Sequence, residues 1–253
     1  MNTKKFNILL NKEDVLNTYK SKKHGLKSLL KYDYWFPIKP TPQLAGIVAD
    51  LMGDGHLQGN PKWRIDYTSK FDFELNRFNN EVFNLFGVCG KIRKCTTNKY
   101  NTKNLGINNK PLARLLYLIG VPSGAKVLKK FLIPKWILND NILFARFVNR
   151  LISAEGSIDL KSRYIELRMQ KSVDLIEDGV MFFTGIKDHL LKYYKIKSTR
   201  PFLTGRDNIR KDGIITKGIR LKIKNKDSLK QFRMFIGIED PNKSVRLNKI
   251  IEN

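Results

Sequence analysis

Ile47-Val48-Ala49-Asp50-Leu51-Met52-Gly53-Asp54-Gly55 and Val148-Asn149-Arg150-Leu151-Ile152-Ser153-Ala154-Glu155-Gly156 are two versions of one pattern. Each ends an apolar stretch of helical character, beginning at Leu44 in the first case and Phe147 in the second. Each closes on a small residue, a carboxylate and a glycine, and then runs into a strand-like segment. The acids stand at 54 and 155, about a hundred residues apart, a spacing that points to a duplicated unit. Ala49, Gly53 and Ala154 lack bulk, so two such helices can bring their backbones close together. Packed side by side, they project both carboxylates from the same end of the contact, where the acids can hold divalent cations. A carboxylate at a helix C-terminus is disfavoured by the macrodipole. Two such placements after the same apolar pattern need a reason, and metal binding supplies one.

Each pattern is followed by the same order of signals. In the first half, strands are expected near 56–59 and 63–69, where Ile65 and Tyr67 alternate with Arg64, Asp66 and Thr68. Phe71, Leu75, Phe78, Val82 and Phe86 mark a helix packed on the sheet. Strands near 88–96 and 100–107 follow, and then a short helix with Pro111 near its start. In the second half, strands are expected near 157–161 and 163–170, with Ile165, Leu167 and Met169 alternating with Tyr164, Glu166, Arg168 and Gln170. Ile176, Val180, Phe183, Leu190 and Tyr194 mark a long helix, and strands near 196–205 and 214–224 complete the half. The reading is α+β: two αββαββα halves, each an antiparallel sheet with one face on helices and one face free.

Composition identifies a class of partner. Of 253 residues, 42% are hydrophobic, enough for a real core. Lys and Arg number 48 against 23 Asp and Glu, and the net charge of +25 points to a polyanion, most often nucleic acid. An AT-rich gene that inflates Lys and Asn accounts for part of that excess. Residues 91–103 carry Lys91, Arg93, Lys94, Lys99 and Lys103 and no acid. Residues 200–224 carry Arg200, Arg206, Arg210, Lys211, Lys217, Arg220, Lys222 and Lys224 against Asp207 and Asp212. Basic groups alternating along strands form one face, and a two-stranded ribbon fits the major groove. Edge lysines that block aggregation explain isolated cases, but not Arg, Asn, Thr and Gln mixed on four ribbons.

Residues 1–41 form a basic preface that either clamps nucleic acid or covers the first half. Helical spacing runs from Val15 to Leu30, before Pro37, Pro40 and Pro42. No apolar run approaches the length of a membrane span. The N-terminus lacks a signal-peptide pattern, and Cys89 and Cys95 are read as reduced thiols of an intracellular protein, either in a prokaryotic cytoplasm or in an organelle.

These residues resemble the monomeric, two-motif LAGLIDADG homing endonuclease family over roughly residues 42–250, with 47–55 and 148–156 as the two motifs. Gly120-Val121-Pro122-Ser123-Gly124-Ala125-Lys126 is similar to that family's turn late in a repeat. Ile236-Gly237-Ile238-Glu239-Asp240-Pro241-Asn242-Lys243 echoes it in the second half, and Ile133-Pro134-Lys135-Trp136-Ile137-Leu138 resembles the linker into the second motif. The resemblance implies a first repeat with linker at 42–138 and a second repeat at 139–253. The motif helices would pack at the centre, with the free sheet faces forming a saddle over DNA. It implies a metal-dependent double-strand break at a long, asymmetric target, made by a monomer and serving intron homing.

In that picture Asp54 and Glu155 are the catalytic acids and metal ligands, with Gly53 and Ala154 assigned to the same metal sites. Lys70 and Lys171, each just past a second strand, order water near the scissile phosphates. Arg64, Asp66, Thr68, Arg93, Lys94, Lys99, Asn101 and Lys103 read one half-site of double-stranded DNA. Tyr164, Glu166, Arg168, Gln170, Arg200, Arg206, Lys217, Arg220 and Lys222 read the other. Mg²⁺ is the expected cofactor, with Mn²⁺ substituting and Ca²⁺ supporting binding without cleavage. Arg150 stands where the family usually has a small residue, and an arginine there can snorkel from the edge of the helix contact.

Other chemistries fit less well. His24, His56 and His189 are isolated, which argues against a histidine–metal nuclease. Asp159-Leu160-Lys161 matches an Asp-x-Lys nuclease element only superficially. The chain opens on Met and closes Ile251-Glu252-Asn253 without a His-Asn terminus, so a free-standing enzyme is expected rather than a protein-splicing fragment. The alternative on the same scaffold is an intron RNA maturase, with host intron RNA as partner, or a non-cleaving DNA-binding protein.

Overall fold

The computed structural model describes residues 8–95 and 101–252. The chain divides into two compact units, Met1–Gly124 and Ala125–Asn253. The division falls ahead of the 138/139 boundary read from the sequence, because the linker packs with the second unit.

In the first unit, α1 (Lys12–Leu16) and α2 (Lys22–Leu29) replace the single helix expected from Val15 to Leu30, and a 3₁₀ segment (Leu30–Trp35) follows. The described part of the preface packs on this half. Tyr34 Oη and Trp35 Nε1 both donate to the Phe86 carbonyl at 2.9 Å, and Arg114 donates to the Thr18 carbonyl at 2.6 Å. The first motif helix, α3 (Pro42–Met52), starts with proline in the first turn and with Thr41 Oγ1 accepting from Leu44 N. Leu44 to Met52 is buried without a break, as an all-round apolar helix must be.

After α3 come β1 (Gly55–Gln58), β2 (Arg64–Ser69), α4 (Asp72–Phe86), β3 (Lys91–Lys94), β4 (Lys103–Ile107) and α5 (Lys110–Leu118). The strands pair antiparallel in the order β1-β2-β4-β3. Ile65, Tyr67, Leu105 and Ile107 are buried on the side covered by helices, where Tyr67 stacks on Phe78 of α4.

In the second unit, a 3₁₀ turn (Lys126–Leu128) and α6 (Lys135–Leu138) lead into the second motif helix, α7 (Asn141–Glu155). Asp140 caps α7 by accepting from Ile142 N and Leu143 N. Then come β5 (Gly156–Asp159), β6 (Tyr164–Ser172), α8 (Ile176–Tyr194), β7 (Phe202–Leu203), β8 (Asn208–Ile209), β9 (Ile215–Ile223), α9 (Lys226–Phe235) and α10 (Pro241–Glu252). The order β5-β6-β9-β7, with β8 also pairing β9, repeats the first sheet. The strand expected at 196–205 shrinks to two residues; Pro201 has no N–H to give to a ladder. The fold is thus α+β with two αββαββα units. Cys89 and Cys95 are free thiols. Among the described residues, no helix is long and apolar enough to cross a membrane.

Candidate nucleic-acid interface and catalytic acids

The glycine that ends each motif is required by close approach. A Cβ on Gly55 would lie 2.6 Å from the Leu51 side chain and 2.7 Å from the Leu51 Cα. One on Gly156 would lie 2.5 Å from the Ile152 carbonyl oxygen. Each strand therefore starts directly against the last turn of its motif helix, and the acid is the residue at the corner.

The two corners differ. In the first unit α3 stops at Met52, and Gly53 leaves helical geometry at φ −85°, ψ −107°. Asp54 is therefore an exposed turn residue rather than the helix end expected from the pattern. In the second unit α7 runs through Glu155, which is half-buried, and β5 begins at the next residue.

Each motif helix is anchored within its own unit by ions. Asp50 of α3 is fully buried, and its carboxylate receives two hydrogen bonds from Arg77 of α4, at 2.9 and 3.0 Å. Arg77 also reaches Glu74 and Glu81, both at 3.1 Å. Burial works against the Arg77 charge, and Asp50, joined by Tyr67 and Glu81, more than offsets it. The neighbouring Tyr67 hydroxyl is held well above its usual range, first by burial and then by the Asp50 charge, with Asp54 adding to the effect.

In α7 the anchor is Arg150. It is fully buried, with its guanidinium on Glu239 at 2.7 Å, so it does not snorkel. Arg146 pairs with the same carboxylate. Lys243 of α10 completes the set: its Nζ donates to the carbonyl oxygens of Ile152, Ser153 and Ala154. A cation on those carbonyls compensates the helix C-terminus beside Glu155, and the Ala154 carbonyl assigned to a metal already has this ammonium on it. Lys243 was not among the residues selected from the sequence. Its signal was present in the 236–243 echo of 120–126, where Asp240-Pro241 also announces a helix start; Asp240 Oδ1 accepts from Lys243 N.

The two lysines expected to order water separate. Lys70 is exposed just past β2. Lys171 is fully buried on the helix side of its sheet, donating to the Lys129 carbonyl at 2.5 Å and to Asp178 at 3.0 Å, over the Phe131 ring at 3.9 Å. Desolvation lowers its pKa against the pull of Asp178. The assignment of Lys171 to a phosphate-facing role is corrected accordingly. Strand register gives the reason: Gly55 pairs with Tyr67 and Gly156 with Leu167, so Gln170, not Lys171, corresponds to Lys70.

Register also sorts the candidate readers. On the first sheet Asp66 pairs with His56 and Gly106, Thr68 with Asn104, and Asn104 with Arg93. These residues and Arg64 share the face away from the helices. Arg64 Nε and Gln58 Nε2 both donate to Asp66, at 2.8 and 2.7 Å. Asn104 donates to Thr68 at 3.1 Å. Lys94 and Lys103 have the opposite parity, level with Ser69, and Lys103 pairs with Asp72 of α4. They leave the reading face. Asn101 is exposed, with φ +50°, and Lys99 lies outside the described residues.

On the second sheet Glu166 pairs with Ser157 and Lys222, Arg168 with Arg220, Gln170 with Gly218, and Phe202 with Arg220. With Tyr164, these form the free face. Glu166 lies 3.1 Å from Lys222 Nζ and 3.5 Å from Arg220 Nε, and Lys222 also sits over the Tyr164 ring at 3.8 Å. Lys217 is opposite Lys171 on the helix-side parity and pairs with Asp207 at 3.2 Å, so it too leaves the face. Arg200 and Arg206 are exposed beside β7. Asp159 binds Ser162 N at 2.6 Å and closes the β5–β6 turn, which accounts for the Asp-x-Lys tripeptide.

No protein-family model matches the chain. It is 28% identical over 223 residues to part of glutamine–fructose-6-phosphate aminotransferase from Methanocaldococcus jannaschii, covering 85% of this chain and 18% of that protein. It is 25% identical over 219 residues to part of the tRNA-splicing ligase RtcB from Methanopyrus kandleri, covering 80% and 21%. The chain thus spans about a fifth of the length of these relatives. Among solved structures it shares the fold of full-length DUF199/WhiA from Thermatoga maritima (TM-score 0.52, 13% identity, 95% of this chain and 64% of that one). The same holds for the homing endonuclease I-WcaI bound to its DNA recognition sequence (TM-score 0.51, 13% identity, 94% and 97%). It holds also for I-DmoI in complex with DNA and Ca (TM-score 0.51, 14% identity, 82% and 97%).

Proposed function

We propose that this chain is a site-specific DNA endonuclease that makes a double-strand break by metal-dependent phosphodiester hydrolysis. The observation that carries this reading is the repeated corner. Twice, an acid stands where a buried helix meets the first strand of a sheet, with the same strand order and the same register behind it. Twice, the sheet turns a polar, largely basic face away from its helices. A protein that only bound DNA gains nothing from placing carboxylates beside phosphates.

Asp54 and Glu155 are the residues that would hold divalent cations, Mg²⁺ in the cell. The donor set fits. Among the described residues no three His, Cys, Asp or Glu side chains gather into a cage, and Mg²⁺ ordinarily takes one or two carboxylates and leaves its other positions to water and phosphate. Asp54 is exposed and Glu155 half-buried, so both carboxylates have solvent access. When bound, the metal supplies charge neutralisation at the phosphate and a more acidic water. The remaining work falls to protein groups. Lys70 carries an ammonium just past the end of β2, the strand that pairs beside the first corner, Lys243 keeps the Glu155 helix end electrically compensated, and each free face offers a surface to the duplex.

One chain supplies both acids, so a monomer on a long, asymmetric site is the expected active species. Two relatives whose names describe unrelated activities each contain a stretch similar to most of this chain. That distribution suits a self-contained module, as a homing enzyme is. Incubating the protein and Mg²⁺ with a plasmid carrying its own intron-free insertion locus tests the reading. A discrete double-strand break supports it, while binding without cleavage identifies a non-cleaving binder.

A further inference from the structure

We propose a second nucleic-acid contact, on the helical preface: a cleft of about 560 Å³ between α2 and the β4–α5 turn that takes the sugar–phosphate backbone of duplex DNA. Its walls are His24, Lys27, Ser28 and Lys31 on one side and Asn108 and Lys110 on the other. His24, Lys27 and Lys31 recur at helical spacing, so they form one stripe. Lys27, Lys31 and Lys110 are exposed. No acid lines the cleft. The only acid between residues 15 and 49 is Asp33, which is paired with Lys12 at 2.5 Å. Three lysines gathered without a counter-charge repel one another, and an anion relieves that repulsion.

The chemistry selects a phosphate backbone over bases. Lysine is a point charge with no planar fork for base edges, and single-stranded nucleic acid is held mainly by bases stacking on aromatic rings. Of the two rings at the cleft, His24 is an imidazole on the lysine stripe and Tyr32 is already occupied: it stacks on Trp35 at 4.1 Å, and its hydroxyl accepts from Asn109 at 2.7 Å. Trp35 is in turn pinned to the Phe86 carbonyl. The cleft is therefore a rigid, basic, non-stacking surface. It belongs to the side of the first unit that carries α2 and α5, apart from the sheet's reading face.

The inference rests on the DNA-binding part of the proposed function and not on cleavage. Its test is the salt dependence of duplex binding by the full chain and by a Lys27→Gln/Lys31→Gln/Lys110→Gln variant, on a non-specific duplex of several helical turns. Each phosphate contact contributes about 0.9 to the slope of log K against log salt, so the triple variant is expected to lower that slope by about 2–3. Its thermal melting is expected to match the parent, because all three side chains are exposed. An Arg220→Gln variant is expected to add its own loss independently. An unchanged slope at matched folding overturns the proposal. So does single-stranded RNA that outcompetes the duplex only when the three lysines are present. Loss of slope in a chain that never cleaves DNA would leave the cleft standing and remove the nuclease reading.

Discussion

Lys171 and Asp178 form an ion pair at 3.0 Å on the helix side of the second sheet, and the same ammonium holds the carbonyls of Lys126 and Lys129. The pair ties the segment after Gly124 to β6 and α8, which makes Lys171 a structural group. Lys171→Met takes the ammonium from two carbonyls and leaves Asp178 with the Phe131 N–H but no counter-charge from Lys171, and is expected to cost about 3 kcal/mol. The urea midpoint reads this directly. An unchanged midpoint, or a cleavage defect at full stability, would contradict it.

The same lysine sets a pH dependence. Its folded pKa is lowered, chiefly by desolvation, below the ordinary 10.5. Just below 10.5 the unfolded chain therefore holds the proton more tightly than the folded one, and stability attributable to this group rises with pH through that window. The difference between parent and Lys171→Met unfolding curves isolates the effect, since other groups cancel. The stability lead of the parent is expected to grow as pH rises toward 10.5, and a lead that shrinks would reverse the assignment.

Much of this was legible in the sequence. Apolar runs, period-two alternation in β2 and β6, and the repeated acid–glycine endings located both units and both corners. What stayed hidden depends on parity and on long-range partners. A one-residue change of parity puts a side chain on the other face, and counting from the end of a strand put Lys171 where only pairing with β5 shows that Gln170 belongs. Lys94, Lys103 and Lys217 lie off the reading face by the same one-residue parity. Arg150 and Asp50 look anomalous in apolar helices until Glu239 and Arg77 are brought to them by distant chain segments.

Asp66 and Glu166 occupy equivalent register positions, and each is nearly buried beneath the basic or amide groups it holds. Their contacts place them to orient Arg64, Gln58, Arg220 and Lys222. Asp66→Asn and Glu166→Gln each remove a negative charge, so non-specific DNA affinity is expected to stay level or rise while discrimination falls, by about 1–3 kcal/mol at the affected base pair. Binding to matched and mismatched duplexes measures both. A fall in non-specific affinity would mean that the acids contact DNA directly.

Arg77→Leu removes both guanidinium hydrogen bonds from the buried Asp50 carboxylate in the first motif helix. A loss of about 3–5 kcal/mol is expected, read by denaturant unfolding. Arg77→Leu combined with Asp50→Leu is expected to recover part of it, because the buried Asp50 charge is then gone while Glu74 and Glu81 still lack the guanidinium. If the single change is tolerated, the pair does not anchor α3.

Ca²⁺ in place of Mg²⁺ is expected to preserve DNA binding and suppress cleavage, since the larger ion accepts looser coordination. Electrophoretic mobility shift and cleavage assays on the same duplex separate the two. Full cleavage in Ca²⁺, or cleavage in excess chelator, would contradict a carboxylate-held Mg²⁺ site.

The central claim is that Asp54 and Glu155 are the working acids. Single-turnover cleavage of the insertion-site duplex by Asp54→Asn and by Glu155→Gln, at saturating Mg²⁺ and with binding measured in parallel, tests it most directly. The account expects each change to reduce double-strand cleavage at least a hundredfold while DNA affinity and melting temperature stay near the parent's. Cleavage at the parental rate by either variant would remove that residue from the chemistry, and with it the catalytic reading of its corner.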